Sequence, residues 1–231
     1  MATPLTRDEF LTSAGRKRAW RELMLGDHGV LRKIYDNTHE VSAEKLWRTY
    51  QPSPRDLADW KKRGIRTVIN LRGDKPNGIL FLEEEACKRL ELNLINFRVY
   101  SRDAPSKEIL RNARKMFSKI EYPAIMHCKS GADRAGLMAT LFLFLHEGEA
   151  LDRALDQLTF KYGHVKHGKT GVIDFAFDRY IAYAKDNNIS LSDVDAFFDW
   201  VETEYDPEQT KKEFQPTPIG TLLTDIILRR E

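Results

Sequence analysis

Three features of the sequence predict an α/β fold: a mostly parallel central sheet flanked by helices, with an N-terminal helical cap and a C-terminal helical extension. Short β-branched or apolar runs alternate with stretches of helical periodicity through the first half of the chain, which is the pattern of βαβ units. The run Pro123-Ala124-Ile125-Met126-His127 is short, apolar and unbroken, as a central strand buried on both faces should be. After residue 134 only helical patterns follow.

Residues 7–35 read as helix in two pieces, broken near Gly26-Asp27-His28-Gly29. Arg16, Lys17, Arg18 and Arg21 beside Trp20, Leu23, Met24 and Leu25 make this region amphipathic and basic. A helical cap with a solvated face is the plain expectation, and peripheral contact with an anionic membrane surface is the sharper one. Leu46-Trp47-Arg48-Thr49-Tyr50 is a strand, stopped by Pro52 and Pro54. Ser53-Pro54 opens a helix, because proline suits a first helical turn, and Gly64 closes it. Residues 66–71 form a β-branched strand, residues 81–90 a helix and residues 92–99 another strand. Ser106 caps a helix over residues 106–120, with Ile109, Leu110, Ala113 and Phe117 on one stripe. Beyond the apolar run, helices are predicted over about 135–147, 149–161, 170–186, 191–204 and 218–229. The organisation expected is a helical segment at 1–37, a catalytic domain at 38–187 and a helical extension at 188–231.

A chain of 231 residues with 42% hydrophobic and 31% charged residues suits a folded globular protein. Its net charge of +2 is too small to argue for a nucleic-acid partner. No stretch approaches the roughly 20 apolar residues of a membrane span, and the amino terminus has no apolar core before a small-residue cleavage site. Two distant cysteines, Cys87 and Cys128, make no disulfide framework, so a reducing, cytoplasmic location is expected. Cys87 reads as a packing residue, with a resolving thiol as the alternative.

The segment His127-Cys128-Lys129-Ser130-Gly131-Ala132-Asp133-Arg134-Ala135-Gly136 joins the apolar strand to the next helix. A strand ending in a cysteine, a five-residue loop and an arginine opening a helix make a phosphate cradle with a nucleophile at its floor. Lys129, Ser130, Gly131, Ala132 and Asp133 can turn backbone N–H groups inward, and Gly131 supplies the permissive dihedrals. The helix terminus adds partial positive charge, and Arg134 offers a planar fork matched to phosphate oxygens. These groups favour a thiolate at Cys128, well below the free value of about 8.5. In-line attack on phosphorus and hydrolysis of a thiophosphoryl intermediate then need no metal or other cofactor. His127 is expected to hold the loop by hydrogen bonding.

The sequence here resembles the cysteine-dependent phosphatases of the protein-tyrosine and dual-specificity superfamily. Trp47-Arg48-Thr49-Tyr50-Gln51-Pro52 is similar to the aromatic-Arg-Ser-x-Gln-Pro strand that opens many bacterial members, and Gly64-Ile65-Arg66-Thr67-Val68-Ile69-Asn70-Leu71-Arg72 to their second strand. The resemblance spans about residues 38–185. It implies a compact dual-specificity-type fold and a general acid in the position of Asp103, which precedes a helix and follows a strand. Asp133 is the competitor, since an aspartate before the loop arginine looks like the myotubularin-type lipid phosphatases; it is alternatively a partner of that arginine. Ala135 departs from the serine or threonine common after the arginine, which implies slower breakdown of the phosphoenzyme. The substrate expected is a phosphorylated protein. The alternative is a phosphate-rich small molecule or lipid headgroup, favoured by Lys129, Asp133, the basic amino-terminal helix and the basic segment 161–169. A weakly active phosphate-binding module is the third reading.

Overall fold

The structure is a computed structural model, and it describes residues 4–27, 29–30 and 36–222. The chain folds as two compact units, Met1–Arg98 with Glu121–Gly131 and Val99–Ile120 with Ala132–Glu231.

The first unit holds the sheet. Its strands are β1 (His39–Ser42), β2 (Leu46–Thr49), β3 (Thr67–Asn70), β4 (Asn93–Asn96) and β5 (Ala124–His127), in the order β1-β2-β5-β3-β4. Only β1 runs antiparallel; β2, β5, β3 and β4 are mutually parallel. The central position of β5 explains its composition, because every residue of Ala124-Ile125-Met126-His127 is buried. The helices of this unit are α1 (Arg7–Leu11), α2 (Ser13–Arg21) with a π turn at Glu22–Gly26, α3 (Pro54–Lys62) and α4 (Gly78–Leu90). Ser53 caps α3 in a reciprocal capping box with Asp56, and Asn77 caps α4. Leu57 and Trp60 of α3 and Ala86 and Cys87 of α4 pack with Val68 and Ile125 of the sheet. Truncating a fully buried leucine such as Leu57 costs about 2–5 kcal/mol, so this layer is a main source of rigidity under the strand ends.

The second unit is helical: α5 (Lys107–Phe117), α6 (Asp133–Leu145), α7 (Leu151–Ala154), α8 (Val172–Asp186), α9 (Val194–Thr203), α10 (Pro207–Glu213) and α11 (Pro218–Leu222). Ser106 caps α5 by accepting from the Ile109 N–H. Helix α6 is apolar on all sides, and residues 135 to 144 are all buried, as a core helix requires. Phe144, Phe197, Tyr180 and Trp200 form an aromatic cluster joining α6, α8 and α9.

Several elements differ from the sequence reading. The amino-terminal helix breaks at Thr12, whose side chain caps α2 through the Gly15 N–H, in addition to the expected break at Gly26-Asp27, where the π turn ends before residues 29–30 turn helical again. Residues 31–35 of that predicted helix, and 223–229 of the last one, lie outside the described residues. The helix expected over 149–161 is one α turn followed by 3-10 turns at Leu155–Gln157 and Phe160–Tyr162, ended by Gly163 at φ +82°. Strand β1 and helix α10 were not predicted. Among the described residues no helix is long and apolar enough to cross a membrane. In the basic amino-terminal helices, Arg7 pairs with Glu84 and Arg16 with Glu85.

Candidate active site

Ligands in sheets of this kind bind beyond the carboxyl ends of the strands. Cys128 follows the carboxyl end of β5, the strand flanked by the ends of β2 and β3. Its side chain is buried.

The first half of the loop is held through its carbonyl oxygens. The His127 carbonyl accepts from the Leu71 N–H at 2.9 Å, and that of Lys129 from the Gln51 N–H at 3.3 Å. The Ser130 carbonyl accepts from Asn37 Nδ2 at 2.9 Å. The Gly131 carbonyl accepts from the Arg48 guanidinium, at 2.8 Å from one nitrogen and 3.3 Å from another. In a planar trans peptide the C=O and the next N–H point in opposite directions. Each engaged carbonyl therefore fixes the direction of the amide that follows it, Cys128, Ser130 and Gly131 among them, with Leu71 held on the β3 side of β5 and Gln51 on the β2 side. Gly131 has φ +75°, where a side chain is strained, and a Cβ at this position would lie 2.9 Å from the Thr49 carbonyl carbon.

Arg48 is fully buried, which gives the arginine of the segment Trp47-Arg48-Thr49-Tyr50-Gln51-Pro52 a structural reason in this chain. That arginine holds the last carbonyl before residue 132. Gln51 adds a second tie, since its side-chain oxygen accepts from Arg72, which Asp27 also chelates at 2.8 and 3.2 Å. Behind the loop, His127 Nε2 lies 2.6 Å from Glu83 Oε1, both side chains being buried. That approach lies off the hydrogen-bonding direction for either partner. The His127 Nδ1 contact to the Cys128 carbonyl is long, at 3.5 Å. His127 thus joins β5 to Glu83 of α4 on one side and to the first carbonyl of the loop on the other. Cys87 lies in the core under the sheet, and burial, with Glu83 and Glu84 nearby, pushes its thiol up to about 12. It is a poor thiolate under ordinary conditions.

The remaining residues belong to the second unit. Asp133 is the first residue of α6, followed by the half-buried Arg134 and the fully buried Ala135. Asp133 accepts a hydrogen bond of 2.8 Å from His164 Nδ1, and His164 Nε2 donates to Asp174 Oδ2 at 2.6 Å. All three side chains are buried. Burial opposes the imidazolium, but the hydrogen bonds and charges of Asp133 and Asp174 outweigh it and raise the His164 pKa to about 9. Asp103 lies in the turn ahead of α5, half-exposed, and is ion-paired with Lys211 of α10. The pairing raises the Lys211 pKa. Among the described residues no group of three or more His, Cys, Asp and Glu side chains is placed to hold a metal ion.

Sequence reasoning missed Asn37, Arg48, Glu83, His164 and Asp174. Only Arg48 had a signal, its place in the shared strand motif. His164 sits in a segment whose composition is basic, and nothing in the sequence tells that it turns inward while Lys161, Lys166 and His167 stay exposed.

Among solved structures, the chain is similar to TpbA of P. aeruginosa at 20% identity and a TM-score of 0.47, over 57% of this chain and 78% of that one. It is similar to Tk-PTP in its active form at 19% identity and 0.44, over 52% and 81%. Human DUSP28 is similar at 13% and 0.41, over 52% and 78%. None of the curated proteins compared with the chain matches it. The family model described as DSP-PTPase phosphatase fused to NAD+ kinase (PTP-NADK) matches residues 29–171, more than half of the chain, and the protein belongs to that family.

Proposed function

We propose that the protein hydrolyses phosphate monoesters through a cysteine thiolate. The observation that carries this reading is the held loop after β5. Four carbonyls engaged around the loop fix its path and the directions of its amides, which would receive the phosphate oxygens, with Cys128 at the start of the turn. Cys128 Sγ attacks phosphorus as the ester oxygen leaves, and Arg134 binds two equatorial oxygens. Asp103 gives its proton to the leaving oxygen, and its carboxylate then takes a proton from the water that cleaves the S–P bond. Asp133 is less suited to donate, since one of its oxygens already accepts from His164.

The reading is tested by acid quench of the working enzyme with a radiolabelled aryl phosphate. A phosphoryl group should be recovered on Cys128 at near one per chain, because Ala135 offers no hydroxyl to the departing sulfur. Ala135→Ser should speed breakdown of that species roughly 10- to 150-fold, the worth of one hydrogen bond to a charged group. Steady turnover with no phosphoenzyme would sink the mechanism.

The Lys211 contact bears on the acid. The Lys211 ammonium occupies the Asp103 carboxyl, which must leave that contact to reach the leaving oxygen. Lys211→Met should raise turnover of alkyl phosphates by about 2- to 4-fold, the range of an exposed ion pair, and change aryl phosphates less. Paired measurements on the two ester classes check this.

A second reading, an enzyme for phosphate-rich small molecules or headgroups, is supported by one observation. His164 ties the basic segment to loop residue Asp133, while Lys161, Lys166 and His167 of that segment remain exposed.

A further inference from the structure

The Asp133–His164–Asp174 cluster has no step in the proposed reaction, yet all three side chains are buried and joined by short hydrogen bonds. Both ring nitrogens face carboxylate oxygens, at 2.8 and 2.6 Å. A neutral imidazole has one N–H, so either tautomer would press a lone pair against an anionic oxygen. With both carboxyls ionised, only the doubly protonated ring satisfies both contacts. Asp133 and Asp174 each lie in the first turn of a helix, α6 and α8, where the helix terminus favours negative charge. The cluster is therefore carboxylate–imidazolium–carboxylate, with one net negative charge, and deprotonating the ring would leave two.

We infer that His164 is a positioning residue of the phosphate loop, fixing Asp133 and offsetting its charge next to Arg134, and thereby setting how tightly the loop holds a phosphate dianion. The inference rests on the phosphatase reading and extends it to residues outside the loop. The chain order makes the coupling direct, because Asp133 is bonded to Arg134 at the start of α6. An unbalanced carboxylate there would compete with the substrate for the guanidinium and repel the incoming dianion.

The groups facing the ring are Asp133 from α6 and Asp174 from α8. A folded-state pKa raised from the usual value of about 6.5 makes the contribution complete at and below that value. It is lost as pH rises through about 9.

The experiment is calorimetric binding of tungstate, a non-hydrolysable oxyanion, to the full chain from pH 6 to 10. A Cys128→Ser background removes titration of the nucleophile. With His164 present, affinity should be flat to about pH 8 and fall about tenfold by pH 10, in step with ring deprotonation followed by nitrogen-15 NMR. His164→Gln should bind about tenfold more weakly at pH 7 and lack the alkaline limb. With Cys128 intact, the same change should raise KM more than it lowers kcat. Asp174→Asn keeps the shape, removes one carboxylate and should move the limb to lower pH.

Equal tungstate affinity and equal pH profiles with and without His164 would overturn the inference and leave the phosphatase reading standing. Tungstate binding without aryl phosphate turnover in the unmutated chain would sink that reading and leave the inference. No tungstate binding at any pH would remove both. If circular dichroism shows His164→Gln unfolded, Asp174→Asn decides, and an unmoved limb overturns the proposal.

Discussion

Cys128→Ser should abolish turnover, with kcat for an aryl phosphate falling at least about 10,000-fold, or about 5.5 kcal/mol of transition-state stabilisation. The substitution exchanges sulfur for oxygen at the end of β5 and disturbs nothing that holds the loop. The carbonyl contacts from Leu71, Gln51, Asn37 and Arg48 all go to backbone atoms. What is lost is the nucleophile: a hydroxyl, unlike a thiol, carries almost no anion at neutral pH, and no base adjoins it in the proposed mechanism. Ligand binding should survive, because the amides and Arg134 remain. The inactive protein thus becomes a trap that separates the two substrate readings. If phosphoproteins are the substrates, a phosphotyrosine peptide should bind it more tightly than an inositol polyphosphate. If the basic segment around His164 recruits phosphate-rich molecules, the order reverses. Residual turnover within a hundredfold of the unmutated chain would show that Cys128 is not the attacking group.

The separation between what the sequence discloses and what it hides follows the range of the interactions. Strands β2, β3 and β5, helices α3 and α5 and the loop itself are local patterns: a capping serine, a proline in the first turn, an apolar run, a glycine before an arginine. Each was readable because its physics lies within a few neighbouring residues. Strand β1 was not, since His39-Glu40-Val41-Ser42 has no apolar alternation and becomes a strand only by pairing at the edge of the sheet. Helix α10 hides in a run of polar residues, Pro207-Glu208-Gln209-Thr210-Lys211-Lys212-Glu213, whose one fully buried side chain is Thr210. The site divides in the same way. The identities of Cys128, Gly131 and Arg134 are visible in ten consecutive residues. The residues that contact the loop are mostly not: Asn37 and His164 reach their partners across 93 and 31 positions, and Arg48, whose strand resembles a known motif, reaches Gly131 across 83 with nothing local to tell which atom it holds. No periodicity marks them. The segment 161–169 shows the limit most plainly: its charges suggest an exposed loop, yet His164 is fully buried between two carboxylates.

Gly131→Ala should cost more than any other single methyl group added to the loop, in stability and in rate. Two effects act together. At φ +75° an alanine is strained by about 1–2 kcal/mol. Its Cβ would also meet backbone on two sides, 2.9 Å from the Thr49 carbonyl carbon and 3.0 Å from the Asn37 carbonyl oxygen. Thr49 ends β2 and is paired with β5 in the sheet, so it cannot yield as a flexible side chain would. The loop must move instead, and with it the Gly131 carbonyl that Arg48 holds. The expected total is about 2–4 kcal/mol of destabilisation, seen as a lower denaturant midpoint. Because displacing an oriented donor by about 1 Å can cost a hundredfold, kcat/KM should fall by at least that factor. Gly148 supplies the control: it has nearly the same dihedral, φ +74°, and a Cβ there would meet nothing within 4 Å. Gly148→Ala should therefore show the conformational cost alone, about 1 kcal/mol, with kcat/KM unchanged. The difference between the two variants measures how firmly the strand ends fix the loop. Equal effects on stability and rate would mean that the backbone contacts of Gly131 do not shape the cradle.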